Sequence, residues 1–380
     1  MPPRASFASW FRMHSGEILV WSIVAVTFAI SYWSFVRNQG FLTPDGRYYL
    51  SMAFLFGGDS PEVARERTAE FAAHYGIPVP PVDQLFGWGL VQPRVVLPAL
   101  AAPFVKIFGP YGLAVTTLLI TIVLIAVLTL IVTRRYGWVA GVAVMIMVNG
   151  SFYLMSFFGS MLTESLSALW TALALIGGWG WIRTRRPWWL ALAGGATVAS
   201  AFTRQATLIV AAAFLVAWAL GSLIERRNSA WMWPAVVVTA ASVVSQVVQS
   251  LVFPTFSQLD QFIRQTGADS LGGAILAIPR LAWHILWNDT ILQLKYDRIL
   301  LFLIVLAVAG MLLFWRRAES HLLLGAILAT ALYNITNGTP TQFRYATPGI
   351  VFFVIMAAYV IRRCGVAIRR RSVLSPSTPR

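Results

Sequence analysis

Residues 138–182 read WVAGVAVMIMVNGSFYLMSFFGSMLTESLSALWTALALIGGWGWI and contain one charged residue, Glu164. A transmembrane helix needs about 20 apolar residues, and a single helix over all 45 residues would extend about 65 Å, twice the thickness of a bilayer. The stretch therefore predicts two membrane spans that turn near Glu164. Such a pair of spans decides the fold class, because it predicts an all-α, polytopic integral membrane protein.

The composition of the whole chain supports this fold class. Of the 380 residues, 58% are hydrophobic and 11% are charged, and the mean hydropathy is +0.71. A soluble domain averages about 25% charged residues. A net charge of +15 is also found in nucleic-acid-binding proteins, but here the cations lie in pairs and triplets between apolar runs. This distribution is a signal of membrane topology, so the expected partners are membrane lipids and not nucleic acid.

The same length criterion predicts about ten transmembrane helices, with juxtamembrane helices in the outer loops. They are Ile18–Val36, Tyr111–Thr133, two within 138–182, two within Pro187–Ile224 that turn near Arg204, Trp231–Phe253, Ile299–Trp315, His321–Thr336 and Ala346–Ile361. Val95–Gly109 is also apolar, but an eleventh span there would invert the charge bias of everything downstream. A helix in the membrane interface fits it better, and Leu271–Leu294 is expected to lie along the same face.

The basic residues give these spans an orientation. If the N-terminus is cytoplasmic, 17 of the 29 basic residues fall inside, together with three of the 14 acids. The sequence therefore predicts a multi-pass protein of the cell (inner) membrane with both termini in the cytoplasm. It has one membrane domain over residues 1–363, with outer loops at 38–110 and 254–298, and a basic cytoplasmic tail over 364–380 that ends in the disordered segment SPSTPR.

The first outer loop carries GFLTPDGRYYLSMAFLFGG at residues 40–58, which predicts a turn that leads into a short amphipathic helix. Asp45 stands at its head, and charged groups near membrane spans are costly and are therefore functional candidates. The carboxylate of Asp45 is either a turn or N-cap group that accepts backbone N–H bonds, or a well-positioned base. Arg47, Tyr48 and Tyr49 are expected to form the interfacial face of this helix.

Glu164 is the second candidate acid. One interpretation places it in the first turn of a helix capped by Thr163, where it interacts with the helix dipole. The other brings it to the same membrane face as Asp45, where two carboxylates hold a sugar hydroxyl or a divalent metal ion. No other cofactor is expected. Because nucleotide-binding and hydrolase motifs are not visible, an activated donor is expected to arrive from the membrane.

Three arginines are predicted on the same outer face. Arg344 lies in NGTPTQFRYATP just before the last span, Arg204 in AFTRQAT, and Arg94 in VQPRVVLP. Arg344 is either an interfacial side chain whose head group reaches water, or a cation shaped for a ligand. A guanidinium presents a fixed fork that suits phosphate oxygens, so these arginines are candidates for binding an anionic group.

These motifs resemble those of the GT-C superfamily of polytopic glycosyltransferases. The matching features are PDGRYYL at Asp45, QPRVVLPALAAPFVKIFG before the second span, TES at Glu164, TR at Arg204 and QFRYATP at Arg344. The resemblance covers most of the chain in topology, although each motif is short. It implies a polyprenyl-phosphate-linked sugar as donor, Asp45 at or near the catalytic base, and arginines on the donor phosphate. A lipid or a glycan is the expected acceptor.

The expected activity is the transfer of a monosaccharide, by inversion, at the extracytoplasmic face. The predicted site residues are the catalytic Asp45 and Glu164, the donor-phosphate-binding Arg344, Tyr345 and Arg204, and the substrate-binding candidates Arg94, Gln92 and Gln342. The alternative is a transporter or flippase of a lipid-linked saccharide. Transporters place ionisable groups near the middle of the membrane and often contain repeated halves, whereas these spans are nearly free of charge and no repeat is visible.

Overall fold

The structure is a computed structural model, and it describes residues 7–226, 229–253, 258–337 and 341–374. All regular structure in these residues is helical, which confirms the all-α prediction for this part of the chain. The predicted disordered segment 375–380 and the start of the second outer loop, 254–257, lie outside the described residues.

The described residues form seventeen α-helices and one 3-10 helix. The first nine are α1 (Phe7–Asn38), α2 (Gly46–Phe56), α3 (Pro61–Ala73), α4 (Val82–Gly87), α5 (Val96–Phe108), α6 (Tyr111–Tyr136), α7 (Trp138–Gly150), α8 (Phe152–Gly159) and α9 (Glu164–Thr184). The others are α10 (Pro187–Ala201), α11 (Thr207–Glu225), α12 (Met232–Val252), α13 (Gln258–Thr266), α14 (Leu271–Tyr296), α15 (Arg298–Leu313), α16 (Ala318–Asn337), the 3-10 helix Arg344–Gly349 and α17 (Ile350–Leu374).

Seven helices in the described residues are long and apolar enough to cross a membrane, so the chain is a multi-pass membrane protein. They are Gly16–Asn38 of α1, α6, α9, α11, α12, α16, and Arg344–Val366, which joins the 3-10 helix to α17. An eighth span results if α7 and α8 are counted together. The remaining two predicted spans coincide with α10 and α15, which have 15 and 16 residues and are short for a full crossing. The count of ten therefore stays a prediction.

The predicted span after residue 138 is broken in two. The axes of α7 and α8 differ by 71° across Ser151. Asp297 holds the break, because its Oδ2 accepts hydrogen bonds from the Ser151 hydroxyl at 2.6 Å and from the Tyr153 N–H at 2.8 Å. Its Oδ1 accepts the Leu300 N–H at 2.9 Å and so caps α15 as well. One buried carboxylate thus accepts hydrogen bonds from backbone N–H groups at the starts of two helices. In apolar surroundings these N–H groups need such an acceptor, because no water is present there.

The first outer loop folds onto α6. Ser60 caps α3 by accepting the Val63 N–H, and residues within Val95–Gly109 form a helix, α5, as predicted. This helix packs between α2 and α6. Its approach to α6 is close, since a Cβ at Gly112 would lie 2.3 Å from the α5 backbone.

A second close approach brings the start of α2 to the start of α9. The Met161 N–H donates to the Phe41 carbonyl at 2.9 Å, and a Cβ at Gly46 would lie 3.0 Å from the Met161 carbonyl oxygen. The 3-10 helix packs against α9, α11 and α16 in the same region. The chain segments that carry Asp45, Glu164 and Arg344 therefore meet at one end of the bundle.

Candidate functional site

Four charged residues that are far apart in the sequence form a continuous ion-pair network. Nη2 of Arg344 lies 2.6 Å from Oδ2 of Asp45, and Nε of Arg344 donates to Oε1 of Glu164. Nη1 of Arg204 lies 2.5 Å from the same Glu164 oxygen. The structure thus brings together the predicted residues Asp45, Glu164, Arg204 and Arg344, in the order Asp45–Arg344–Glu164–Arg204. We refer to these four residues as the ion-pair network.

Asp45 occupies the N-cap position of α2, as one of the two interpretations predicted. Its carboxylate, however, accepts no hydrogen bond from the first N–H groups of the helix, and the Thr43 side chain takes that role. The Gly46 N–H donates to the Thr43 hydroxyl at 3.1 Å, which leaves the Asp45 carboxylate to pair with Arg344. The Asp45 side chain is 32% exposed, the most accessible of the four network residues. Its carboxylate therefore stays within reach of a ligand while the start of a helix holds its backbone.

Glu164 has a different environment. It is the first residue of α9, its side chain is 0% exposed, and one of its oxygens accepts from two arginines. A carboxylate that is enclosed and paired in this way fixes the arginines in place. The geometry favours a positioning role for Glu164 over the predicted catalytic one. In the described residues, no group of three or more His, Cys, Asp or Glu side chains could hold a metal ion, and a metal site at Asp45 and Glu164 stays a prediction.

Arg204 lies in the turn between α10 and α11, and its side chain is 1% exposed. Burial lowers the pKa of this guanidinium, but Glu164, together with Tyr333 and Tyr49, raises the pKa by more, so that the net shift is upward. The guanidinium also faces the ring of Tyr345, at 5.2 Å from the ring centroid, and Tyr345 packs against the ring of Tyr333. Arg204 thus stays charged, and it places the predicted Tyr345 beside the ion-pair network.

Arg94 adds a third cation to the site and, after Arg204, a second one that is buried. It is 5% exposed, its Nη1 donates to the Tyr49 hydroxyl at 2.7 Å, and its charge interacts with that of Arg204. The Nε atoms of Arg94 and Arg204 have no hydrogen-bond partner within the described residues. Two arginines therefore pair with the two carboxylates, and Arg94 lies beside Arg204. In the described part of the chain, three buried nitrogens of these arginines have no hydrogen-bond partner, the two Nε atoms and Nη2 of Arg344, whose contact with Asp45 is an ion pair.

The expectation of an interfacial face on α2 is wrong for Tyr48 and Tyr49, which are both buried, and Tyr49 is the more deeply enclosed. Its side chain is 0% exposed because its hydroxyl accepts from Arg94 in the interior. Tyr48 is 9% exposed and its ring packs on Trp88 at 4.8 Å, while Arg47 donates to the Pro78 carbonyl. These side chains hold the outer loop to α2, and Tyr49 belongs to the surroundings of the site.

The two predicted glutamines, Gln92 and Gln342, make different kinds of contact in the described residues. The Gln92 side chain donates to the Phe86 carbonyl and its backbone N–H to the Trp88 carbonyl, both in its own loop. The backbone N–H of Gln342 donates to Oδ1 of Asp289 at 2.8 Å. Gln342 lies two residues before Arg344, so it contributes to the turn that presents this arginine.

That turn has an unusual backbone. Gln342 and Phe343 have φ values of 56° and 76°, in the left-handed region that residues other than glycine rarely adopt. The side-chain carboxylate of Asp289 in α14 holds the turn, because it accepts hydrogen bonds from the backbone of Gln342, Phe343 and Thr341. Burial raises the pKa of Asp289, although these hydrogen bonds act in the opposite direction. A strained backbone of this kind persists only when surrounding residues hold it, and the hydrogen bonds to Asp289 hold it here.

Replacing Asp289 with alanine is expected to loosen this turn. The substitution leaves the backbone N–H of Gln342 without its acceptor, which should lower the free energy of unfolding by about 1–3 kcal/mol. Hydrogen–deuterium exchange should become faster at residues 341–344. Asp289→Asn keeps one side-chain oxygen and should have a smaller effect, and Asp269→Ala, at an exposed acid of the same segment, serves as the control. Unchanged exchange in Asp289→Ala would show that Asp289 does not hold the turn.

An apolar cavity opens beside the same turn. It has a volume of about 430 Å³ and lies between α14, α15, α16 and α17. Asp289 and Phe343 line it at the end near Arg344, and aliphatic side chains such as Leu301, Ile304 and Ile327 form its walls. The site therefore combines a half-exposed carboxylate, buried cations and an adjoining apolar groove. Comparisons with protein-family models, curated proteins and solved structures found no match, so its geometry alone guides the assignment.

Proposed function

We propose that the protein is a GT-C-type glycosyltransferase that moves a monosaccharide from a polyprenyl-phosphate-linked donor to a lipid or glycan acceptor. The proposal places the reaction at the extracytoplasmic face of the cell membrane, where the predicted topology puts the ion-pair network. One observation carries it. A half-exposed carboxylate, Asp45, is paired directly with Arg344, a cation suited to a phosphate leaving group.

In the proposed reaction, Asp45 is the general base. Its carboxylate takes the proton of the acceptor hydroxyl while the hydroxyl oxygen attacks the anomeric carbon of the sugar. The bond between this carbon and the phosphate oxygen breaks, and its electron pair stays on the lipid phosphate. Arg344 stabilises the growing negative charge, and attack from the opposite side of the sugar inverts the anomeric centre.

The pairing of Asp45 with Arg344 links donor binding to activation of the base. A donor phosphate that takes the Nη2 side of Arg344 replaces Asp45 there and frees the carboxylate for the acceptor. Glu164 keeps hold of Nε throughout, so the guanidinium stays in place during the exchange. Arg204 and Arg94 add positive charge behind it. The network therefore supplies a base only when a phosphate is present.

The apolar cavity beside Arg344 suits the lipid part of this donor. Its aliphatic walls include two candidate spans, α16 and α17, and its lining reaches Phe343 in the turn that presents Arg344. An isoprenoid chain placed there buries apolar surface while its phosphate stays at the level of the arginines. Phosphate and chain would then be bound by neighbouring parts of one surface.

The direct test is incubation of the purified protein with a panel of polyprenyl-phosphate sugars and candidate lipid and glycan acceptors. Consumption of one donor with formation of a glycosylated acceptor and free polyprenyl phosphate supports the proposal. If no donor is consumed by protein that is folded and inserted in a bilayer, the transferase assignment fails.

Replacing Arg344 with alanine is expected to weaken donor binding most among the three arginines. A charge-assisted hydrogen bond contributes about 1.5–3 kcal/mol, so the donor KM should rise by about 10–100-fold. Arg344→Lys should rescue binding only in part, because an ammonium group cannot contact Glu164 and a phosphate with the same fork. Arg37→Ala, at an exposed arginine of α1, is the matched control. An unchanged KM together with an unchanged kcat in Arg344→Ala would remove its proposed role.

The broken pair α7 and α8 favours a second candidate, a transporter or flippase of a lipid-linked saccharide. Transporters often bind substrates at interrupted helices. Here the interruption at Ser151 is closed by the carboxylate of Asp297, which accepts from the Ser151 hydroxyl and the Tyr153 backbone N–H and so occupies two donors that a substrate would need. Proteoliposomes with a fluorescent lipid-linked saccharide separate the two functions, since a flippase moves the lipid between leaflets without changing it chemically.

A further inference from the structure

A second cavity lies at the other end of the bundle. It has a volume of about 920 Å³ and is formed by the C-terminal ends of α6, α9 and α11 and the beginnings of α10, α12 and α16. Glu164 begins α9, whereas the cavity contacts α9 from Ile176 to Thr184. At 1.5 Å per residue, Ile182 is about 27 Å along the helix axis from Glu164. Because α9 is a candidate span, the two sites belong to opposite faces of the membrane.

The charges that line this cavity are mostly positive. Arg134, Arg135, Arg183 and Arg316 line it, against one acid, Glu225. Arg135 is committed to the protein, because it pairs with Glu319 at 3.1 Å and lies over the ring of Trp179 at 4.2 Å. The other three arginines are exposed. We call this region the basic cavity.

The walls of the basic cavity are apolar, and two buried polar atoms among them are unpaired. Isoleucines, leucine and three tryptophans, Trp179, Trp189 and Trp231, line it. Nε1 of Trp189 and Nε2 of His321 have no hydrogen-bond partner within the described residues, and His321 is 4% exposed. Cations at the mouth and apolar walls inside suit an amphiphile with an anionic head.

We propose that the basic cavity binds an anionic phospholipid of the surrounding membrane. Its phosphate contacts Arg183 and Arg316 at the mouth, and the upper part of its acyl chains lies against the apolar wall. Basic pockets between transmembrane helices recognise such head groups by the same combination of charge and apolar contact. This inference is independent of the transferase proposal.

The test is native mass spectrometry of the full chain in detergent, titrated with phosphatidylglycerol or with phosphatidylcholine of the same acyl chains. The unsubstituted protein should bind phosphatidylglycerol more tightly. Replacing both Arg183 and Arg316 with glutamine should weaken this binding by at least about tenfold and leave phosphatidylcholine unaffected. The control, Arg37→Gln with Arg298→Gln, removes the same charge from exposed positions outside the cavity and should bind as the unsubstituted protein does.

Three outcomes would overturn the proposal. Equal phosphatidylglycerol binding by the cavity variant and the control variant would remove the role of the arginines. Equal binding of the two lipids by the unsubstituted protein would remove the preference for an anionic head. Competition by inorganic phosphate at concentrations similar to those of the lipid would identify a site for free anions. All three are binding measurements, so they do not depend on sugar transfer.

Discussion

Asp45→Asn is expected to abolish sugar transfer and to leave the protein folded and inserted. A positioned general base contributes about 10²–10⁴-fold to a rate, and an amide cannot take the proton of the acceptor hydroxyl. The fold should tolerate the change, because the Asp45 side chain is partly exposed and Thr43 makes the cap of α2. The measurement is kcat for the donor that the panel identifies, with the donor KM determined alongside.

Asp83→Asn is the matched control for this substitution. Asp83 is an exposed acid of the same outer loop, so the control makes the same chemical change away from the ion-pair network. Its kcat should equal that of the unsubstituted protein. Because asparagine releases Arg344 from its ion pair, the donor KM of Asp45→Asn should be unchanged or lower. Full activity in Asp45→Asn would rule out Asp45 as the base and move the search to another group near Arg344.

Glu164→Gln is expected to have the largest effect on stability. It keeps the volume of the side chain but leaves Arg204 and Arg344 without their shared counter-ion in a buried site. Breaking a buried ion pair by removing one partner costs about 3–5 kcal/mol, because the remaining charge is uncompensated. The free energy of unfolding in mixed detergent micelles should fall by this amount, and donor binding should weaken because the fork of Arg344 loses its anchor.

Two further variants separate the ion pair from other causes. Glu66→Gln, at an exposed position of α3, makes the same change outside the bundle and should leave stability unchanged. Combining Glu164→Gln with Arg204→Met removes both partners, so the double variant should be more stable than the sum of the single effects predicts by about 1 kcal/mol or more. Strict additivity would indicate that Glu164 and Arg204 do not interact energetically.

The residues of the ion-pair network could be found from the sequence because charges near membrane spans are rare. Asp45, Glu164, Arg204 and Arg344 each stand at a turn of an otherwise apolar chain, and a common membrane face followed from span counting. Their pairing could not be predicted. It depends on the approach of α2 to α9 at Gly46 and Met161, and no local pattern encodes that contact.

Two acids with structural roles were missed for a similar reason. Asp289 and Asp297 lie in a stretch with several polar residues, so neither stands out as Glu164 does. Their partners are distant, since Asp289 bonds Gln342 and Asp297 bonds Ser151 and Tyr153. The break between α7 and α8 was missed with them. A continuous apolar run predicts that a span is present and how long it is. It does not predict the break at Ser151, because the carboxylate that closes this break lies 146 residues later in the sequence.

That separation has a consequence for how the protein is made. The ribosome completes residues 151–153 well before Asp297 leaves the exit tunnel, so the broken pair reaches the membrane before the side chain that closes it. Until then, the Tyr153 N–H needs another acceptor, such as a carbonyl of a continuous helix or water, because lipid offers none. The bend between α7 and α8 is therefore set late in biogenesis, when α15 arrives, and a nascent chain stalled before residue 297 should leave this region open to proteases.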